Sequence, residues 1–355
     1  MKPCLPLLLM SLLLAGCGMS AGQQQQAAYA ARLSGDDTTA FDYYREAAAS
    51  AEQPEARYQL AQMYLEGRGT AQNTAEAIDW LTRLSDSGEP KWQSRAHRLL
   101  GEIYAGEHDP AVRDARQAAQ HFAACAALGD DDCVRRQALL TPPRLQLVSG
   151  PGPAVTAAGL YDQRGPAVYK VVVYEQLGAG LEPLSLGSAV AIDPYRAVTS
   201  YHLVAEGGVP VSISRNGQQP VREADIMVWR VLYTDAARDL ALLTLEDGRR
   251  LEYTQRARSV EQLQVGDRVF AIGSPAGLDK TLTEGIVSAR RNQQGVRVIQ
   301  TTAPISYGSS GGGLFDESGN LVGITTKGVT AWGNFNFAVA ADEVQAFLAE
   351  SAAPQ

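Results

Sequence analysis

The chain has 355 residues, 45% hydrophobic and 20% charged, which is ordinary globular material with room for about two domains. A formal net charge of −8 and a pI near 5.2 exclude the strongly basic balance of a nucleic-acid partner. The arginine pairs at 135–136, 249–250 and 290–291 are isolated, without interleaved aromatics, and read as solvated surface.

Residues 1–17 read MKPCLPLLLMSLLLAGC: Lys2, an apolar core from Leu5 to Leu14, then Leu14-Ala15-Gly16-Cys17. That core is too short to span a bilayer and has the layout of a secretory signal. It resembles a bacterial lipoprotein signal, which implies loss of residues 1–16 and a lipid on Cys17. Several acyl chains on one residue anchor firmly, where a single chain holds only marginally. Gly18 in place of Asp after the cysteine is similar to outer-membrane sorting in Gram-negative bacteria. The expected location is therefore periplasmic, with the membrane as a partner through the lipid; the alternative is a plain secretory peptide. No later apolar run is long enough for a membrane span. Residues 17–28, rich in Gly, Ala and Gln without apolar periodicity, read as a tether.

From Tyr29 to Leu140 the pattern is helical and repetitive. Ala56, Leu60, Ala61, Met63 and Tyr64 recur forty residues on as Ala96, Leu100, Gly101, Ile103 and Tyr104. A second helix follows each, over 75–88 and 116–129, and 39–49 reads as the second helix of a truncated first repeat. A period near forty with small residues at fixed places signals a helical solenoid over 29–140. Its aromatic positions fall at helical spacing and read as core. The segment resembles Sel-one-type repeats, with Gly67-Arg68-Gly69 at the inter-helix turn and a weaker counterpart from Gly106 to Pro110. The resemblance implies a protein partner or substrate on the repeats. It also implies a disulfide between Cys125 and Cys133, which an oxidising compartment permits.

Thr141-Pro142-Pro143 stops the last helix, because Pro has no N–H to donate. Residues 141–159, with Pro151 and Pro153, read as an extended linker before a domain over 160–350. There the period changes to that of strands, predicted at 168–174, 187–192, 196–200, 209–214, 226–233, 240–245, 268–272, 285–289, 296–300, 321–325 and 335–339. Short strands punctuated by Gly and Asp predict paired antiparallel barrels, and 342–349 reads as a closing amphipathic helix. The fold class is thus multidomain, an all-α solenoid followed by an all-β double barrel.

Gly308-Ser309-Ser310-Gly311-Gly312 places Ser310 on a tight loop between two strands. Glycines let the backbone turn so that N–H groups converge on one spot. Upstream lie Val198-Thr199-Ser200-Tyr201-His202 and Arg238-Asp239-Leu240-Ala241-Leu242-Leu243. Of the four histidines, His97, His108 and His121 fall in the helical region, so His202 is the one imidazole base of the C-terminal half. A serine hydroxyl needs such a base, and the base needs a carboxylate to hold its tautomer. Asp239 takes that role because the apolar run after it would hold it rigidly, whereas Asp235 and Asp225 lack such a run. His202 and Asp239 would come from the first barrel and Ser310 from the second, with the site in the cleft between them.

These segments resemble the trypsin-like serine peptidases of the HtrA/Deg-type branch, over about residues 165–345. VTSYHL, DLALL and GSSGGG correspond to that family's base, acid and nucleophile motifs, and Phe270 to Leu278 and Glu284 to Ala289 match its connecting strands. The resemblance implies an oxyanion hole from the N–H groups of Gly308 and Ser310, and a specificity pocket walled by 321–326 and 327–333. Ser309 stands where trypsin-like zymogens carry an Asp that captures a new N-terminus, so activation by cleavage is not expected. Tyr307 and Gly313 depart from the family's Pro-flanked loop. The PDZ domain common in HtrA-type proteins is expected to be absent, since the chain ends at Gln355.

The expected function is a lipid-anchored serine endopeptidase acting on proteins or peptides through His202, Asp239 and Ser310. With one His and no Cys in the C-terminal domain, a zinc site of the usual type has no ligands, and no metal or cofactor is expected. The rival from another class is a non-catalytic peptide-binding or scaffold lipoprotein on the same fold.

Overall fold

The computed structural model describes residues 19–351 apart from 51, 151, 178–179, 214–221, 279 and 330–334. The signal segment and Cys17 lie outside the described residues, as does much of the expected pocket turn at 327–333. The chain divides into two units after Gln137.

The N-terminal unit is built of α1 (Ala21–Leu33), α2 (Asp37–Ala48), α3 (Pro54–Glu66), α4 (Thr74–Ser85), α5 (Pro90–Ala105), α6 (Ala115–Ala127) and α7 (Asp131–Leu140), which runs past the division. Pro54 and Pro90 open α3 and α5 at positions where a missing N–H costs nothing. Both helices end on a left-handed glycine, Gly67 and Gly106. The next helix then starts on a side-chain cap, Asn73 or Asp114, whose own N–H returns to Tyr64 or Tyr104 at 2.9 and 2.8 Å. The two hairpins thus close alike, although the second turn lacks the Gly-Arg-Gly of the first.

Leu60, Leu81, Leu84, Leu100 and Ile103 are fully buried between these helices, each stabilising the stack by about 1.5–3 kcal/mol relative to exposure. Gly101 fills the small position of its repeat because a Cβ there would lie 2.6 Å from the Phe122 ring. Cys125 on α6 and Cys133 on α7 are joined by a disulfide, with Cα atoms 5.9 Å apart.

The tether expected over 17–28 is corrected from residue 21 onward, where α1 begins. Ser20 and Gln23 form a capping box, and Ala and Gln are good helix formers. The buried face is made of alanine, with Ala28 inaccessible, so no apolar period marks it.

The C-terminal unit contains β1 (Gln146–Val148), α8 (Ala157–Arg164), β2 (Val168–Leu177), β3 (Gly180–Ala191), β4 (Arg196–Thr199), β5 (Val209–Ile213), β6 (Ile226–Asp235) and β7 (Leu240–Leu245). There follow β8 (Arg256–Arg258), β9 (Arg268–Gly273), β10 (Thr281–Gln293), β11 (Val296–Thr301), β12 (Gly313–Asp316), β13 (Leu321–Val329), β14 (Phe335–Ala340) and α9 (Ala341–Glu350). A first barrel closes in the order β2-β3-β4-β7-β6-β5. In the second sheet the order is β13-β12-β9-β10-β11-β14, and β14 returns to pair with β13, so those strands also form a ring. Strands β8 and β1 are appended in parallel beside β13.

Val190, Val198 and Leu242 of the first barrel pack with Phe270, Ile272 and Phe315 of the second in one core, sealed by Val344, Phe347 and Leu348 of α9. The linker expected over 141–159 is corrected in two places. Residues 146–148 pair with 256–258 as β1, and α8 begins at Ala157 under a Thr156 cap, with Leu160 buried. Three paired residues and a helix of eight are too short to override the Pro and Gly signals around them. Among the described residues no helix is long and apolar enough to cross a membrane.

Candidate active site

Strand β4 is wholly buried and delivers the chain into a single 3-10 turn, Tyr201–Leu203, that carries His202. Asp239 immediately precedes β7, whose six residues are all buried. It has φ 55, a left-handed conformation that non-glycine residues rarely adopt. Three donors explain how the carboxylate is held. The His202 N–H donates to Oδ1 at 2.9 Å, the His202 ring meets Oδ2 through Nδ1 at 2.8 Å, and the Thr326 hydroxyl donates to Oδ2 at 2.5 Å. The Tyr201 N–H also donates to the Asp239 carbonyl at 3.1 Å.

Facing a carboxylate, Nδ1 must carry the ring proton, which leaves Nε2 as an acceptor. Burial pushes the Asp239 carboxyl upward, but hydrogen bonds from His202 and Thr326 outweigh it and hold the group below its ordinary value. Asp239 therefore stays ionised beside the imidazole. The competing carboxylates serve elsewhere: Asp235 accepts from Arg238, and Asp225 from the Arg222 N–H.

Four successive carbonyls of the Ser310 loop, from Tyr307 to Ser310, are each held by a donor from outside it. The Ala276 N–H donates to the Tyr307 carbonyl at 2.7 Å, the Ser188 hydroxyl to Gly308 at 3.0 Å, the Thr325 hydroxyl to Ser309 at 2.5 Å, and the Ser188 N–H to Ser310 at 2.7 Å. Gly308 sits at φ 92, and a Cβ there would lie 2.4 Å from the Ser274 carbonyl oxygen, so only glycine fits. Among the described residues the N–H groups of Gly308 and Ser310 have no partner within the chain. Two free donors, one of them the N–H of Ser310 itself, are what a developing oxyanion needs.

Strand β13 ties the parts together. Thr325 accepts the Gly311 N–H at 2.7 Å, one residue from Ser310, while its neighbour Thr326 bonds Asp239. Ser310 lies against β3 through Ser188, and the Thr199 hydroxyl of β4 also reaches Ser188, at 2.6 Å, three residues before His202. His202 and Asp239 are thus joined directly, while Ser310 makes no hydrogen bond to His202. Such contacts are often long without substrate. Behind Ser309 lies a cavity lined by Gly273, Thr281, Thr283, Ser306 and Thr325, and among the described residues no charged side chain lines it.

Residues 187–324 match the family model of the trypsin-like peptidase domain. The C-terminal unit carries a trypsin-like peptidase domain. Sel1 repeats match the N-terminal unit at residues 30–51, 54–89 and 94–130. The peptidase domain is similar to "Serine protease HTRA1A" of Danio rerio, 32% identical over 206 residues, covering 55% of this chain and 41% of that protein. It is also similar to the "Probable periplasmic serine endoprotease DegP-like" of Bartonella henselae, at 35% over 152 residues, 41% of this chain and 28% of that one. A protein of the same description from Pseudomonas fluorescens is 37% identical over 172 residues, 45% and 34% of the respective chains. The chain spans less than half the length of these curated relatives.

Thr326, Ser188 and Ala276 were not singled out from the sequence of this peptidase domain. For Thr326 the available signal was a pair of threonines ending an apolar strand. Ser188 and Ala276 act through backbone bonds to a loop more than 30 residues away, which leaves no local trace.

Proposed function

We propose that the chain is a serine endopeptidase of the bacterial periplasm, held to the membrane by a lipid on Cys17, with repeats that bind a protein partner or substrate. The observation that carries this reading is the hydrogen-bonded His202–Asp239 pair beside a serine loop with two unpaired N–H donors. The likeness to periplasmic and other serine proteases supports the reaction and the compartment. The Cys125–Cys133 disulfide agrees with an oxidising location.

In this mechanism Ser310 Oγ attacks the scissile carbonyl carbon while His202 Nε2 takes the hydroxyl proton. Negative charge on the carbonyl oxygen is met by the N–H groups of Gly308 and Ser310. Asp239 stabilises the imidazolium without itself taking the proton. His202 then gives that proton to the leaving amine, the C–N bond breaks, and Ser310 is left as an ester. Water attacks the ester with its proton passing to His202, and the serine is regenerated as the acid product leaves.

The test is hydrolysis of unfolded casein and of peptides by the full chain. Ser310→Ala and His202→Ala should each lower turnover about a millionfold, and Asp239→Asn about ten-thousandfold, while folding is kept. Folded wild-type protein indistinguishable from Ser310→Ala would favour the non-catalytic peptide-binding lipoprotein.

A further inference from the structure

Asp239 occupies the last position of the turn joining β6 to β7, and its left-handed backbone persists only if its surroundings over-determine it. On one side the Tyr201 N–H grips its carbonyl. On the other stands Arg238. Its own N–H donates to Asp235 Oδ1 at 3.0 Å, and its guanidinium to Asp235 Oδ2 at 2.5 Å, so the turn is closed on itself. The same guanidinium reaches Glu343 at 3.3 Å and both oxygens of Glu350 at 2.8 and 2.9 Å, all on α9. Glu343 is only 10% exposed and is gripped from its other oxygen by Arg297 at 2.7 Å.

We propose that Arg238 is a positioning residue for Asp239, clamping the turn that carries the acid to the closing helix α9. The proposal rests on the reading of Asp239 as the acid of a peptidase triad. A guanidinium shared by three carboxylates exceeds what local charge balance requires. Its planar fork fixes direction as well as distance, which a lysine could not do. Helix α9 is an anchored platform for this clamp, because Val344, Phe347 and Leu348 are buried in the shared core.

Arg238 makes no hydrogen bond to the Asp239 carboxylate, so its influence is geometric. Both Asp239 oxygens must stay in register with the N–H and Nδ1 of a single residue, His202. A small rotation of the turn breaks that register, and a displacement near 1 Å at such a site costs about a hundredfold in rate.

The experiment measures kcat and KM on a peptide substrate for Arg238→Gln and Glu350→Gln in the full chain, each alone and combined with Asp239→Asn. Arg238→Gln should lower kcat about 10- to 100-fold and Glu350→Gln about threefold, with KM within about twofold. In the Asp239→Asn background neither change should lower kcat further, because the group being positioned is already lost. Equal losses in both backgrounds would mark a general packing role and overturn the proposal, as would unchanged kcat in Arg238→Gln. Should Arg238→Gln fail to fold, the Glu350→Gln pair decides by the same criterion, since Glu350 is half exposed. A wild-type chain without turnover would remove the peptidase reading itself, and this inference with it.

Discussion

Acid should loosen the packing of α5 on α6, through His97 and His121. The two rings face each other with Nδ1 atoms 3.1 Å apart, and Tyr104 stacks on His121 at 5.6 Å between centroids. One nitrogen must donate and the other accept, so the contact fails when both rings are protonated. Burial, and then the neighbouring His97, lower His121 from 6.5 to about 4. Burial lowers His97 as well, against the opposing charge of Asp86.

Because the folded value lies below the unfolded one, the unfolded chain takes up the proton first. The contribution to stability is therefore complete above about pH 6.5 and is lost as pH falls toward 4. A fall from 6.5 to about 4 corresponds at most to about 3.4 kcal/mol, and half-burial of the ring reduces this to about 1.5 kcal/mol. Hydrogen exchange, corrected for intrinsic rates, should show amides of α5 and α6 losing about tenfold protection between pH 7.5 and 4.5. His121→Gln should lack that pH-dependent component. Flat protection in the wild type, or an identical slope in the variant, refutes the reasoning.

Thr326→Val removes a hydroxyl donor to a carboxylate, worth about 1.5–3 kcal/mol, and should lower kcat about 10- to 100-fold with KM unchanged. Unaltered kcat in steady-state kinetics would show that Thr326 has no hold on Asp239. Replacing Cys125 and Cys133 with Ser should cost about 2–3 kcal/mol by loop-closure entropy, read by denaturant melts of the oxidised protein and the variant. Matching melts would contradict that estimate. Cys17→Ser should move the chain from the membrane fraction to the soluble periplasm, and unchanged fractionation speaks against the lipid anchor.

Buried barrel strands such as β7 were legible in the sequence because four apolar residues in a row, as in Leu240 to Leu243, have few alternatives to burial in a sheet, whereas the long β3 and β10 were legible only over 187–192 and 285–289. Strands β1, β8 and β12 were not, since none carries a run of more than two apolar residues and all are held by neighbours distant in sequence. Helix α1 escaped because its buried contact is alanine, which carries no apolar moment to read. At the site, His202, Asp239 and Ser310 stood out because each sits in a short motif whose chemistry demands that residue type. Thr326 and Arg238 did not, because their roles arise only when β13 and α9 fold back onto the turn before β7. Roles conferred by partners far along the chain leave no spacing to find.

Everything proposed for the site requires Ser310 to be an activated nucleophile. Incubation of the full chain with a fluorophosphonate, followed by intact-mass and peptide mapping, tests it without knowledge of the substrate. One phosphonyl adduct per chain is expected, on Ser310, forming slowly or not at all in His202→Ala and absent from Ser310→Ala. A folded wild-type chain that stays unlabelled, also after removal of the repeat unit, would contradict it.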